Sequence, residues 1–262
     1  MQSLLSGIKN DDIRLTPFPH VIVPNALPEA DYAALCDSFP PFSRIGWATN
    51  NPILPNNRRF ALPAANILSA EDMPACWKHF VELHSSPDFL AAVAALFQDH
   101  WPRDMLAALG GSLTGHSTGR LNLSGDDHDR ARIRQDARIE INTPVRDRAS
   151  CVRGPHLDTP NRLFSGLFYM RAAEDDSVGG ELLLYRWREQ PIMAFDAYEL
   201  PPHSVEEVAR IPYRANQLVL FPQGMNAIHG VAPREPTPHC RRYVFITAEL
   251  GQDWLRRPGD IT

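Results

Sequence analysis

The sequence predicts a mainly β protein with flanking α-helices, and three observations carry that prediction. Four apolar, β-branched or aromatic runs crowd into the C-terminal half, at residues 163–170, 179–185, 216–222 and 241–247. Helical stripes with proline and serine boundary signals occupy the N-terminal half. No internal repeat and no low-complexity linker interrupts the 262 residues, so one domain is the simplest organisation. Its expected division is N-terminal helical support over about 1–135 and a β core over about 136–250.

The elements follow in order. Pro17-Phe18-Pro19-His20-Val21-Ile22-Val23-Pro24 predicts an extended strand whose prolines suit a sheet edge. Pro28 then opens an amphipathic helix carrying Tyr32, Leu35, Cys36 and Phe39 on one stripe, and Pro40-Pro41 stop it. Residues 50–57 form a polar, proline-containing loop. The Arg58-Arg59-Phe60 that follows is expected to be solvated, with a border to a substrate mouth as the alternative. A helix is predicted from Ser69 to about Leu83. Another opens with Ser86 as cap and Pro87 in the first turn, placing Leu90, Val93, Ala94, Phe97 and Trp101 at helical spacing. Core packing explains that stripe better than a cofactor site does.

Gly110 to Ser117 approaches a phosphate-loop pattern, but His116 stands where the lysine should be and no good helix follows. Asp126-Asp127-His128-Asp129 has ligand types for a second metal, yet a segment this polar is expected to be a solvated loop. The neighbouring Arg130, Arg132, Arg134, Arg138, Arg146, Arg148 and Arg153 are suited to attract an anionic substrate, although Asp136, Glu140 and Asp147 offset much of that charge.

Composition excludes several classes. A net charge of −5 argues against general nucleic-acid affinity, which needs a basic face. Cys36, Cys76, Cys151 and Cys240 are widely spaced and are expected to be reduced thiols of a cytoplasmic protein. Met1 to Asn10 lacks the basic start and apolar run of a signal peptide, and no stretch of about 18 apolar residues is available for a membrane span.

The most informative constellation is His156-Leu157-Asp158, then His229, then Arg242. On a strand, residues two apart share a face, so His156 and Asp158 would turn inward together. A second imidazole from a distant strand completes two histidines and one carboxylate, the facial triad that holds non-haem Fe(II) with coordination positions left open. Taken alone, each residue has an ordinary explanation: His229 as a surface or core histidine, Arg242 as an edge-strand cation, Tyr169 as a core aromatic. The order of the whole set favours the metal site.

With Gly154-Pro155 before His156, Gly179-Gly180 before a strand, and Arg242-Tyr243-Val244-Phe245-Ile246-Thr247 last, the region from about Ala137 to Leu250 resembles the Fe(II)/2-oxoglutarate-dependent dioxygenase superfamily, and within it the prolyl-4-hydroxylase-like branch. The resemblance implies a double-stranded β-helix, or jelly-roll, cupin-like core. It implies that His156, Asp158 and His229 hold the iron and that Arg242 partners the distal carboxylate of 2-oxoglutarate, with Arg241 taking that role if the strand register is shifted by one. Tyr169 matches a tyrosine that assists in some members. The implied cofactors are Fe(II), 2-oxoglutarate and O2. The implied reaction is hydroxylation of an unactivated carbon, with succinate and carbon dioxide released. Asp158 disfavours halogenation, for which the family replaces this carboxylate by a small residue. The expected partner is a small-molecule substrate, with a homodimer as the default assembly. A cupin-type metalloenzyme without 2-oxoglutarate and a non-catalytic jelly-roll module are the alternatives. Specificity lies in loops, so the sequence leaves the substrate open.

Overall fold

A computed structural model describes residues 1–46, 55–121, 131–191 and 199–255. Asp126 to Arg130 and part of the predicted loop at 50–57 lie outside the described residues.

Helices α1 (Glu29–Asp37), α2 (Phe42–Ile45), α3 (Ala64–Ser69), α4 (Ala75–His84), α5 (Pro87–Leu96) and α6 (Arg103–Ala108) occupy the N-terminal half. Pro28 precedes α1, and Ser86 caps α5 by accepting a hydrogen bond from the Phe89 N–H at 3.1 Å, as their sequence signals require. The helix expected from Ser69 starts six residues later, at Ala75 directly after Pro74, and a separate short helix, α3, ends at Ser69. Trp101 is buried but lies beyond the end of α5.

The strands are β1 (Val21–Pro24), β2 (Arg59–Leu62), β3 (Thr118–Arg120), β4 (Ile133–Asn142), β5 (Arg162–Tyr169), β6 (Leu182–Trp187), β7 (Val205–Ile211), β8 (Gln217–Pro222), β9 (His229–Val231) and β10 (Arg241–Leu250). The larger sheet runs β1-β8-β5-β10-β4-β2, with β3 pairing β4 in parallel; the smaller runs β7-β6-β9. These antiparallel sheets form the jelly roll. The N-terminal half is more than helical support, since β1 and β2 close the two edges of the larger sheet.

Alternation along the long strands sorts the core. Val244, Ile246 and Ala248 of β10, with Ile139 and Ile141 of β4, pack under the helices, where Phe80 stacks on Phe168 with ring centroids 5.6 Å apart. Tyr243 and Phe245 face the other way, toward the smaller sheet. On that face β4 presents Asp136, Arg138, Glu140 and Asn142, in register with Thr247, Phe245, Tyr243 and Arg241 of β10. One polar row of the central sheet is therefore turned inward.

His84 locks the N-terminus to α4. Its Nε2 accepts the Leu4 N–H at 3.0 Å and its Nδ1 lies 2.7 Å from Phe80 O, so the ring is neutral with the proton on Nδ1. Burial lowers its pKa to about 4. The unfolded chain binds this proton near pH 6.5 and the folded one only near 4, so stability is full above 6.5 and is lost as pH falls toward 4. Relative to His84→Gln, which keeps an acceptor but cannot titrate, the wild type should lose roughly 3 kcal/mol between pH 7 and pH 4 in urea denaturation. A pH-independent difference between the two proteins would contradict this.

Candidate active site

His156, Asp158 and His229 converge, with one ligand atom from each lying within 4.8 Å of the others, all three residues buried. His156 and Asp158 are not on a regular strand, contrary to expectation. Instead an isolated bridge holds the two histidine segments together: His156 N donates to His229 O at 2.8 Å, and His229 N donates to His156 O at 3.1 Å. Gly230 permits that approach, since a Cβ there would lie 2.7 Å from Gly154 O.

Each ring is fixed by a local carbonyl. His156 Nδ1 lies 2.8 Å from Gly154 O and His229 Nδ1 lies 3.0 Å from Ala227 O, so Nδ1 carries the proton and Nε2 keeps a free lone pair. His156 Nε2 stands 3.9 Å from Asp158 Oδ1, and His229 Nε2 stands 3.8 Å from Asp158 Oδ2. Burial and the neighbouring His229 push the pKa of His156 well below its ordinary value, and burial does the same for His229. Burial alone would raise the Asp158 pKa. Arg162, the two imidazoles and the Ser165 hydroxyl, which donates to Oδ2 at 2.5 Å, outweigh it and hold the group well below the usual carboxylate range. Two neutral imidazoles and an ionised carboxylate are the donor set for a divalent transition metal.

The set opens on a cavity of about 170 Å³ between the two sheets, walled by Arg59, Arg138, Glu140, Leu167, Leu182 and Arg241 among others. Arg59 is exposed, as expected, but it also borders this mouth. The expectation for Arg242 is not met. Arg242 points to the helix side of β10, its guanidinium carbon 4.8 Å from the Phe39 ring centroid, because residues 242, 244, 246 and 248 share that face. Arg241 faces the cavity, only 1% exposed, as the one-residue shift in register requires.

Three tyrosine rings enclose Arg241: its guanidinium carbon is 4.9 Å from Tyr169, 5.0 Å from Tyr213 and 4.9 Å from Tyr243. Its Nε donates to Gly180 O at 3.0 Å. Arg241 Nη2 and Tyr169 OH are both buried without a hydrogen-bond partner. Burial raises the Tyr169 pKa against the pull of Arg241, so the phenol keeps its proton as a donor. A cationic donor and a neutral donor, both unused, fit a buried carboxylate.

The charged face of β4 forms a wall of the site, a role that sequence patterning alone did not assign to it. Arg138 Nε donates to Glu140 Oε1 at 2.7 Å and its Nη1 to Asp136 Oδ2 at 3.2 Å, while Tyr243 OH donates to Glu140 Oε2 at 2.5 Å. Burial lifts the Asp136 pKa to about 6, with Arg138 opposing. For Glu140, burial pushes upward but Arg138 and Arg59 prevail, and the group stays ionised. The period-two alternation of charged and Ile residues over 133–142 was the available signal.

Residues 146–247 match the family model of the 2OG-Fe(II) oxygenase superfamily. The matched segment holds His156, Asp158, His229 and Arg241, and over that segment the chain is similar to a superfamily whose members use Fe(II), 2-oxoglutarate and O2. No curated protein matches the sequence significantly. Among solved structures, a prolyl 4-hydroxylase from Phytophthora capsici is 15% identical with a TM-score of 0.47, over 88% of this chain and 59% of its own. This chain thus spans 59% of that enzyme's length. A prolyl-4-hydroxylase from Pseudomonas putida is 15% identical over 95% of this chain and all (100%) of its own, at a TM-score of 0.46. A bsmA homolog from Methylobium petroleophilum is 12% identical over 98% of this chain and 96% of its own, at 0.49. No helix among the described residues is long and apolar enough to cross a membrane.

Proposed function

We propose that the protein hydroxylates an unactivated carbon of a small-molecule substrate. His156 and His229 would bind Fe(II) through Nε2 and Asp158 through a carboxylate oxygen, and Arg241 with Tyr169 would receive the distal carboxylate of 2-oxoglutarate. The observation that carries this reading is the pairing of two features in one cavity: a two-histidine, one-carboxylate set at one place and a buried arginine with an unused donor at another. When bound, iron and 2-oxoglutarate together supply the oxidising power: one oxygen atom of O2 enters the substrate C–H bond, the other enters succinate, and C1 of 2-oxoglutarate leaves as carbon dioxide.

The protein's own residues orient and exclude. Gly154 O and Ala227 O fix the imidazole tautomers. Ser165 holds one oxygen of Asp158 and so limits how the carboxylate can turn. Leu167, Leu182, Val231 and Phe245 supply apolar wall, which keeps water from the reacting carbon. Asp158 occupies the place that a halide would need, which supports hydroxylation over halogenation.

The test is an anaerobic titration of metal-free protein with Fe(II) and then 2-oxoglutarate, followed by air and assay of succinate. The expected result is a visible metal-to-ligand charge-transfer band that forms only with both, and succinate formed in step with 2-oxoglutarate consumed. Iron binding without a band would overturn the reading in favour of a cupin-type enzyme that does not use 2-oxoglutarate.

A further inference from the structure

We propose that the substrate is a carboxylic acid whose carboxylate docks on the Arg162 guanidinium at the metal end of the cavity, an inference that rests on the oxygenase reading above. The wall has a sign. Arg59, Arg138, Arg153, Arg162 and Arg241 line it against the carboxylates of Glu140 and Asp158. Behind it, Asp136 and Glu249 offset part of the charge of Arg138 and Arg162. Three lining residues hold a buried polar atom without a partner, Asn142 Nδ2, Arg162 Nε and Arg241 Nη2, and all three atoms are donors. Outside the metal-binding set, these unused donors make the wall complementary to oxygen acceptors.

These donors serve two separate places. Arg241 lies opposite Asn142 in the β10–β4 register, whereas Arg138 lies opposite Phe245, four residues further along β10. At strand rise that is about 13 Å. A five-carbon diacid anchored on Arg241 commits one carboxylate there and turns the other to the metal, which leaves the open Arg162 donor for a second ligand. Arg162 belongs to the second place: its guanidinium carbon is 4.9 Å from the Phe245 ring centroid, and that of Arg138 is 4.8 Å from the same ring. Arg162 lines the same cavity as His156, Asp158 and His229, and its charge acts on the Asp158 carboxylate.

Of the two arginines, Arg138 has Nε and Nη1 committed to Glu140 and Asp136, so it contributes field. Arg162 has its Nη2 3.7 Å from Glu249 Oε2, beyond hydrogen-bond distance, and its Nε unpaired, with the residue only 8% exposed. A buried planar fork with open donors is best completed by a carboxylate, which presents two acceptors at matching spacing. Leu167, Val231 and Phe245 nearby would accept a short carbon body. Of the arginine-rich segment preceding the His156 motif, Arg138 and Arg153 line the cavity.

The experiment uses the protein loaded with Fe(II) and saturating 2-oxoglutarate under nitrogen. Hexanoate, phenylacetate and N-acetyl-leucine are the probes, each against its primary amide, and binding is read by calorimetry and by perturbation of the charge-transfer band. At least one acid should bind about tenfold or more tighter than its amide, and Arg162→Met should bring the pair to within about twofold. Arg162→Lys, which keeps charge and bulk, should retain an intermediate preference and guards against a folding defect in the first variant. Equal binding of acids and amides, binding of neither, or an acid preference that survives in Arg162→Met would overturn the proposal. Absence of any band in the wild type before a probe is added would instead overturn the oxygenase reading, and this inference with it.

Discussion

Asp158→Ala abolishes coupled turnover and weakens Fe(II) binding by about 100-fold or more, a loss of roughly 3 kcal/mol at the metal. The expectation follows from charge. Asp158 is the sole anionic member of the three-residue set, and the other two are neutral imidazoles fixed by backbone carbonyls. Without it, a divalent ion in a buried site has no anionic ligand, while Arg162 still repels it from close by. The metal-free variant should also be less stable near neutral pH, because the native fold holds this carboxylate well below its ordinary pKa and so gains from its ionisation. Equilibrium dialysis of Fe(II) and a succinate assay measure the first effect, and urea denaturation of the metal-free proteins the second. An Asp158→Ala protein that binds iron and makes succinate as the wild type does would remove the metal site from this cavity.

The parts of the fold that sequence made legible are those where local chemistry and tertiary context agree. The Ser86 cap with Pro87, and the apolar runs that became β5, β8 and β10, carry their own instructions. β4 was illegible for a physical reason. Its alternation of Ile with Arg, Asp and Glu is the pattern of a strand with one face in water, whereas here that face is the wall of a cavity and nearly every residue is buried. Nothing local separates the two cases: the Arg138–Glu140 pair, two residues apart, could form on a solvated strand as well, and what buries this face is tertiary, such as Tyr243, whose hydroxyl donates to Glu140. Likewise His156 and Asp158 were expected to share a strand face. They converge through an irregular segment pinned to β9, where the bridge between His156 and His229 does the work that strand geometry was assigned.

The choice between Arg241 and Arg242 shows the same limit at one residue, and it sets the second large effect. Alternation fixes which of two adjacent arginines faces the cavity only when the register is known, and the register comes from pairing with β4 and β5. Arg241→Ala should raise the concentration of 2-oxoglutarate needed for half-saturation by about 100-fold, the scale of a buried charge-assisted pair left with one partner. Arg242→Ala should change it by no more than about twofold, since that side chain packs on Phe39 across the sheet and its loss costs packing alone. Tyr169→Phe should fall between them, because it removes one neutral donor and keeps the ring that flanks Arg241. Titrating the charge-transfer band with 2-oxoglutarate in the three variants measures all of this without a substrate. If Arg242→Ala were the variant that lost 2-oxoglutarate, the strand would have to be turned over. Tyr243 and Phe245 would then leave the cavity for the helical face, and the wall that joins Glu140 to Tyr243 would not exist.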